Sequence, residues 1–165
     1  MKEKFTFFWK SESVFSNWYL ANFELEGIQY NCVEQYMMYQ KALLFDDTEI
    51  AEKILQTKKQ GAQKALGRQV SKFNDDVWRA NCKQIVYDGN RAKFLQNENL
   101  LKRLLKTRKT TLVEASPVDA IWGIGLSEHD PKAKSRIKWR GKNWLGEVLT
   151  NLREDLMKEG YGEYK

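Results

Sequence analysis

The helical character of this chain is clearest in residues 143–156, which read NWLGEVLTNLREDL. Within this stretch the apolar residues recur at the three- and four-residue spacing that places them on one face of an α-helix. They are Leu145, Val148, Leu149, Leu152 and Leu156. This is the strongest amphipathic stripe in the chain, and Asn143 ahead of it is predicted to cap the helix.

Weaker patterns of the same kind predict further helices on the N-terminal side. Two of these helices cover Val33–Phe45 and Thr48–Leu55. A short third helix is predicted to begin at a capping box formed by Thr57 and Gln60 and to end at Gly67. A long fourth helix begins at Asn74 or Asp75, and a fifth lies around Leu100–Leu105. Predicted strands are Phe5–Phe8, a hairpin over Phe23–Tyr30 that turns at Glu26-Gly27, and Leu112–Ala115. The sequence therefore predicts an α+β fold, predominantly α-helical with a few short strands, in which residues 1–165 form a single domain.

Composition excludes several classes of protein. Of the 165 residues, 42% are hydrophobic and 13% aromatic, so the chain is too apolar for a disordered tail. Its apolar runs are far shorter than the ~20 residues of a membrane span and its start is not typical of a signal peptide, so we expect a cytoplasmic protein without a membrane partner. Cys32, Cys82 and His129 offer no zinc-binding spacing, and we expect neither a metal nor another cofactor. The net charge of +6 suits phosphorylated ligands or nucleic acid, whereas nothing in the sequence indicates an oligomeric state.

The helix predicted over Val33–Phe45 carries two charges on one of its faces. The residues of this face are Glu34, Met37, Met38, Lys41 and Phe45. If the face is buried, the Glu34 carboxylate and the Lys41 ammonium lie at the edge of an apolar cavity, where pKa values shift and acid–base chemistry becomes possible. The alternative interpretation leaves both charges in solvent and buries only the other side of the helix.

Two acids, Glu114 and Asp119, are embedded in the apolar run of residues 112–126, which reads LVEASPVDAIWGIGL. Asp119 precedes Trp122 by three residues. A buried carboxylate beside an indole ring can bind a sugar hydroxyl or exchange a proton with a substrate. The alternative interpretation of Asp119 is an Asx turn or a helix cap.

Several other positions each have a functional and a structural interpretation. Asn17 is either a ligand for a base or hydroxyl edge or a turn residue, and Trp18 either stacks on a ring or fills the core. Arg68 either binds a phosphate or ends a helix favourably. Asn97 is either a ligand or a cap. The basic run of residues 132–140 either binds phosphates of nucleic acid or is a solvated loop.

These motifs, taken in order, resemble the NADAR (YbiA-like) family along nearly the whole chain. The resemblance is carried by Phe15-Ser16-Asn17-Trp18, Glu34-Gln35-Tyr36-Met37-Met38 with Lys41-Ala42, Leu66-Gly67-Arg68, Trp78, Lys93-Phe94 with Gln96-Asn97, residues 112–125, and Trp139-x-Gly141-x-Asn143 with Leu145-Gly146. It implies a mainly helical α+β domain with N-glycosidase activity on ribosylated amines. Some members cleave phosphorylated early intermediates of riboflavin biosynthesis and release ribose 5-phosphate, whereas others remove ADP-ribose from guanine bases in nucleic acid. A chain without a fusion partner is more similar to the first group.

The resemblance also implies the roles of individual residues. Glu34 and Asp119 are the expected catalytic carboxylates, which would converge in one pocket half shielded from solvent, although the sequence does not say which is acid and which is base. Lys41 offers another route, because a desolvated lysine can form a Schiff base with a ribosylamine that has opened to an imine. Trp18 and Trp122 are expected to wall the sugar or base. The remaining candidates for substrate binding are Asn17, Arg68, Asn97 and Glu114.

Three functions therefore remain open from the sequence. The first is an N-glycosidase for a small phosphorylated ribosylamine, and the second is a glycohydrolase that removes ADP-ribose from guanine in nucleic acid, which the net charge of +6 favours. The third is a non-catalytic module that binds ADP-ribose or another nucleotide.

Overall fold

The computed structural model describes residues 2–162 and confirms an α+β fold that is predominantly helical. The helices and strands of that range are β1 (Phe5–Phe8), β2 (Phe23–Leu25), β3 (Ile28–Tyr30), α1 (Val33–Leu44), α2 (Thr48–Leu55), α3 (Gln60–Gly67), α4 (Asp75–Leu95), α5 (Glu98–Lys106), β4 (Thr111–Glu114) and α6 (Trp144–Lys158). None of these helices is long and apolar enough to cross a membrane. The chain divides into two compact units, a middle unit, Asn17–Asn97, and a terminal unit, which joins Met1–Ser16 to Glu98–Lys165.

The middle unit begins with the predicted hairpin. β2 and β3 pair antiparallel, with Phe23 opposite Tyr30. Glu26 and Gly27 both have positive φ angles, of 53° and 79°, which is typical of the two-residue turns that match the twist of a hairpin. The hairpin contributes to a buried apolar cluster that consists of Phe23, Tyr30, Val33, Tyr36 and Ala92.

Helix α1 is the most deeply covered helix of the middle unit. It packs against α2, α3 and α4. Six consecutive residues at its start, Val33 to Met38, are buried, together with Ala42. Because six consecutive residues reach every side of a helix, α1 has no solvent face in its first turns.

The terminal unit is built on a parallel pair of strands. β1 and β4 lie in register from Phe5 opposite Thr111 to Phe8 opposite Glu114. Helix α6 packs against β4 and α5, and its predicted apolar stripe is buried. Between β4 and α6 the chain follows a long loop that includes two short 3-10 segments, Pro131–Lys134 and Arg136–Lys138.

One predicted helix cap is wrong, and a second is correct in position only. The Thr57 hydroxyl donates to the carbonyl of Lys53 in the last turn of α2, and Lys59 occupies the N-cap position of α3. Asn143 precedes α6 as predicted, but its side chain does not cap the helix. Its Nδ2 donates to the Leu112 carbonyl at 3.0 Å and its Oδ1 accepts from the Glu114 N–H at 3.0 Å, so the amide satisfies the backbone of β4 instead.

Candidate active site

Glu34 lies in the first turn of α1 and is only 4% exposed. The interpretation that left its carboxylate in solvent is wrong, because the start of α1 is buried on every side. Its backbone N–H donates to the carbonyl of Asn17 at 2.9 Å, which fixes the beginning of the helix. A carboxylate in the first turn is favoured by the partial positive charge at a helix N-terminus. Glu34 is therefore a carboxyl group held at a fixed place inside the middle unit.

Lys41 is half-buried on the same helix, two turns further on. Burial is the main cause that lowers the pKa of its ammonium, the charge of Glu34 acts in the opposite direction, and the charge of Arg68 lowers the pKa further. The Lys41 Nζ lies 4.7 Å from the ring centroid of Phe73 and 5.7 Å from that of Trp78. The charges of Glu34 and Lys41 thus interact, in surroundings that favour a neutral Lys41 amine more than water does.

Arg68 owes its position to a glycine at the end of α3. Gly67 packs so closely against α1 that a Cβ there would lie 2.0 Å from the Sδ of Met38. Arg68 follows as the C-cap residue of α3, and its N–H donates to the carbonyl of Lys64 at 3.2 Å. Its side chain is exposed, so Arg68 ends the helix and also presents a cation whose charge reaches Lys41.

Asn17 and Trp18 lead into this region. Asn17 is buried, and its Oδ1 accepts from the Nδ2 of Asn90 at 3.1 Å while its carbonyl accepts from the Glu34 N–H. Trp18 is half-buried, its carbonyl accepts from Gln60, and its ring lies 5.8 Å from the Nζ of Lys64. Asn17 is therefore an anchor for the helix that carries Glu34, whichever further role its amide has.

Asn97 bridges two parts of the middle unit. Its Nδ2 donates to the carbonyl of Asn22 at 3.1 Å and to that of Lys93 at 2.8 Å. Both donors of the amide are thus used within the protein, which favours the structural interpretation of this residue.

Lys93, on α4, is completely buried, with no exposed surface. Burial lowers the pKa of its amine to about 7, and the nearby Cys32 thiol acts in the opposite direction. The Nζ lies 4.9 Å from the ring centroid of Phe94 and 5.6 Å from that of Tyr19. Glu34 and Lys93 both act on the Cys32 thiol, whose pKa burial raises to about 11. The amine of Lys93 and the carboxylate of Glu34 therefore share one buried neighbourhood.

In the terminal unit, Asp119 forms the Asx turn of its alternative interpretation. Its Oδ1 accepts from the N–H groups of Ile121 and Trp122, each at 2.9 Å. The side chain is half-buried and is held by these two bonds. Trp122 is also half-buried, and its ring meets that of Trp144 edge to face with the centroids 5.8 Å apart. A carboxylate and an indole are thus both fixed on one short loop.

Glu114 is the last residue of β4 and is half-buried. Its N–H donates to the Oδ1 of Asn143, and its carbonyl accepts from the N–H of Ile124 at 2.9 Å. A Cβ at Gly123 would lie 2.9 Å from the carbonyl oxygens of both Glu114 and Asp119, so only glycine allows this close approach of backbone to backbone.

Arg136, one residue of the basic run of the terminal unit, contacts other side chains of the protein. The Arg136 guanidinium forms an ion pair with Glu3, lies 3.9 Å from the carboxylate of Glu147 and stacks 4.8 Å from the ring centroid of Trp139. The Trp139 Nε1 donates to the carbonyl of Ala133 at 2.7 Å. These contacts favour a structural role for Arg136 and Trp139. Residues 2–162 contain no cluster of three or more histidine, cysteine, aspartate or glutamate side chains that could hold a metal ion.

Comparison with known proteins identifies the family. A family model described as the NADAR domain matches residues 7–157. The chain belongs to the NADAR family. N-glycosidase R617 of Acanthamoeba polyphaga mimivirus is 48% identical over 147 residues, which span 86% of this chain and 86% of that protein. The riboflavin biosynthesis protein VVA0006 of Vibrio vulnificus (strain YJ016) is 31% identical over 141 residues, which span 86% of this chain and 35% of that protein.

A solved structure confirms the family fold. N-glycosidase YbiA of Escherichia coli (strain K12) is 32% identical over 142 residues, which span 86% of this chain and 80% of that protein. The NMR structure of Escherichia coli YbiA superposes with a TM-score of 0.79 at 28% identity and covers 100% of this chain and 92% of that chain.

Within this NADAR domain, the middle unit brings together four of the nine predicted site residues. They are Asn17, Glu34, Lys41 and Arg68. Lys93, which the sequence marks only as part of a family motif, also follows Cys82, Val86 and Gly89 at helical spacing on the buried face of α4. Phe73 lies outside any helix or strand, so no periodic pattern marks it.

Proposed function

We propose that this N-glycosidase of the NADAR family hydrolyses the bond between C1′ and nitrogen in a small phosphorylated ribosylamine, such as an early intermediate of riboflavin biosynthesis, and releases ribose 5-phosphate. The observation that carries the proposal is the buried carboxylate of Glu34, whose charge acts on the half-buried amine of Lys41, as does the charge of Arg68. The names of the mimivirus and Vibrio relatives support the bond and the substrate class.

The reaction needs two contributions from the protein. As the C1′–N bond breaks, the ribose gains positive charge, and a fixed carboxylate stabilises that charge more than water does. The departing nitrogen needs a proton, and a water molecule must add to C1′. We assign these roles to Glu34 and Asp119. One carboxylate binds the ribose hydroxyls or activates the water, and the other supplies or relays the proton.

Lys41 supports a second route through a covalent intermediate. A ribosylamine opens to an imine, the neutral Lys41 amine adds to C1′, and the original amine leaves with a proton. Water then hydrolyses the new imine, which releases the sugar and restores the lysine. The lowered pKa of Lys41 favours the neutral form that this addition requires.

Borohydride reduction separates the two routes, because it converts a Schiff base into a stable secondary amine. Trapping of a sugar adduct that disappears in Lys41→Ala would support the lysine route, and absence of trapping under turnover would contradict it. Mass spectrometry of the trapped peptide distinguishes Lys41 from Lys93, whose pKa of about 7 also leaves much of its amine neutral.

The phosphate of the substrate requires a cationic subsite, and Arg68 is our candidate for it. Its guanidinium is exposed and can bind a phosphate through two hydrogen bonds. Trp18 and Trp122, both half-buried, are our candidates to contact the sugar or the base. Both cysteines are free and buried, which supports the proposed cytoplasmic location.

One panel of substrates tests the proposal. The purified protein is offered a ribosylaminopyrimidine phosphate and, separately, DNA that carries ADP-ribosylated guanine, and free ribose 5-phosphate and free ADP-ribose are measured. Release of ribose 5-phosphate from the first substrate is the expected result. Release of ADP-ribose from the second alone would replace the small-molecule function with the nucleic-acid function that the net charge of +6 favours. Binding without either product would identify a non-catalytic module.

A further inference from the structure

Phe73 is an aromatic residue that the structure holds in an exposed position. Its side chain is 45% exposed, although the backbone on both sides is fixed. The N–H and the hydroxyl of Ser71 both donate to the Oδ2 of Asp47, at 2.9 and 3.0 Å. On the other side, Asn74 caps α4 by accepting from the N–H of Val77 at 3.1 Å. The exposed ring therefore belongs to an ordered segment.

The ring of Phe73 is oriented by a second aromatic residue. Its edge-to-face contact with Phe45 has a centroid distance of 5.4 Å and an interplanar angle of 62°. Phe45 is buried directly after α1, so the position of the Phe73 ring is tied to the helix that carries Glu34 and Lys41. An exposed ring that is fixed in this way loses little conformational freedom when a ligand stacks on it.

The surroundings of Phe73 match a planar ligand that carries both a ring and polar groups. The Lys41 Nζ lies within 6 Å of the ring centroids of both Phe73 and Trp78, so one ammonium marks the position that the two rings share. Glu34 and Arg68 are the charged groups that act on this ammonium. A pair of aromatic rings next to a cationic hydrogen-bond donor is a combination by which proteins recognise the base of a nucleotide.

We propose that Phe73 and Trp78 form a stacking subsite for the planar nitrogen heterocycle that leaves in the reaction, with the edge of that heterocycle beside Lys41. This inference rests on the proposed function and adds a preference for an aromatic leaving group. Stacking acts on the bound ring in the ground state and in the transition state alike, so the subsite lowers KM and leaves kcat nearly unchanged.

The test compares two substrates that differ only in the ring. One is a ribosylaminopyrimidine 5-phosphate, and the other is ribosylamine 5-phosphate, whose leaving group is ammonia. Loss of a stacked ring weakens binding about 5- to 150-fold, so Phe73→Leu should raise KM for the first substrate by a factor in that range. KM for the second should stay within about twofold of the wild-type value. Phe73→Tyr should restore most of the loss, and Trp78→Leu with Trp78→Phe repeats the comparison for the other ring.

Val77→Ala is the matched control, because Val77 is 41% exposed in the turn of α4 that carries Trp78 and has no part in the proposed subsite. Its KM should equal that of the wild type for both substrates. An unchanged KM in Phe73→Leu, or an equal rise for both substrates, would overturn the inference. If the wild type cleaves neither substrate, the proposed function fails. Calorimetric titration of the free aminopyrimidine into wild type and Phe73→Leu then still decides whether the stacking subsite exists.

Discussion

Replacement of Lys93 by methionine should make the protein more stable at neutral pH. The amine is completely buried, and its pKa is about 7 in the folded protein against 10.5 for an ordinary lysine. Folding thus lowers the affinity of this amine for a proton by about three to four pKa units, each worth about 1.4 kcal/mol. Methionine has a similar length and no proton to lose, so the variant avoids this cost of folding.

The size of the effect depends on pH in a definite direction. Between the folded pKa of about 7 and the unfolded value of 10.5, the unfolded chain binds more protons than the folded one, so the stability of the wild type rises with pH. The free-energy cost of burying the Lys93 amine is fully present below about pH 7. It is roughly 4 kcal/mol at pH 7 itself and falls to about 2 kcal/mol at pH 9. The advantage of Lys93→Met should therefore shrink by about 2 kcal/mol over this interval. Loss of the contacts to the rings of Phe94 and Tyr19 changes the stability difference between variant and wild type by the same amount at every pH, so it does not change how this difference varies with pH.

Urea denaturation followed by tryptophan fluorescence at several pH values from about 7 to 9 measures the difference. Higher pH is avoided because burial also raises the pKa values of Cys32 and Tyr36, to about 11 and about 12, and their titration in the unfolded chain would obscure the comparison. Lys83→Met, exposed on the same helix, is the control and should show no such slope. A constant difference across the interval, or a Lys93→Met variant that is less stable at pH 7, would refute the reasoning. Because costly buried groups are kept where function requires them, we expect the stabilised variant to lose activity.

Three other changes have defined outcomes. Gly146→Ala should destabilise the protein by roughly 3 kcal/mol or more in urea denaturation, because the new Cβ would lie 2.1 Å from the Leu112 carbonyl oxygen. Gly61→Ala, whose new Cβ would have no atom within 4 Å, should instead stabilise α3 by about 0.5–1 kcal/mol. Equal effects of the two substitutions on stability would contradict this packing. Asp119→Asn keeps an acceptor for the two turn N–H groups, so the stability of the variant should be near that of the wild type. The rate of product release should fall about 10²-fold or more. Turnover at the wild-type rate would remove Asp119 from the mechanism. Hydrogen bonds from Ser71 and Ile50 hold the pKa of Asp47 below its usual value of 3.8. The contribution of these bonds to the stability of the folded protein should therefore persist above that pH and disappear as the pH falls further. Amide hydrogen exchange at Ser71 measures this loss.

Elements with a regular apolar pattern were predictable from the sequence. The stripe of α6 and the turn at Glu26-Gly27 both follow from local rules of spacing and backbone conformation. The burial of α1 was not decided by its own pattern, because Glu34 and Gln35 are polar and only the packing of the other helices determines which faces lose contact with water. Local spacing therefore named Glu34 as a candidate but left its solvated alternative open.

Some features depend on tertiary structure and could not be predicted from the sequence. Lys93 lies on the buried face of α4, but a long lysine side chain usually carries its charge back to water, so its complete burial could not be expected from position alone. The side chain of Asn143 bonds to β4 because that strand lies alongside the start of α6 in the folded unit. Phe73 is a candidate for ligand binding only because its ring lies near the ammonium of Lys41, and the sequence does not predict this contact between distant residues.

The role of Glu34 is tested most directly by Glu34→Gln, assayed for release of ribose 5-phosphate and, separately, for substrate binding by calorimetry. Glutamine preserves the size of the buried side chain and removes its charge, so we expect turnover to fall by about 10²- to 10⁴-fold while the substrate still binds within a few fold of the wild-type affinity. Glu49→Gln, at an exposed position on α2, should leave both quantities unchanged. Turnover by Glu34→Gln at the wild-type rate would contradict the account.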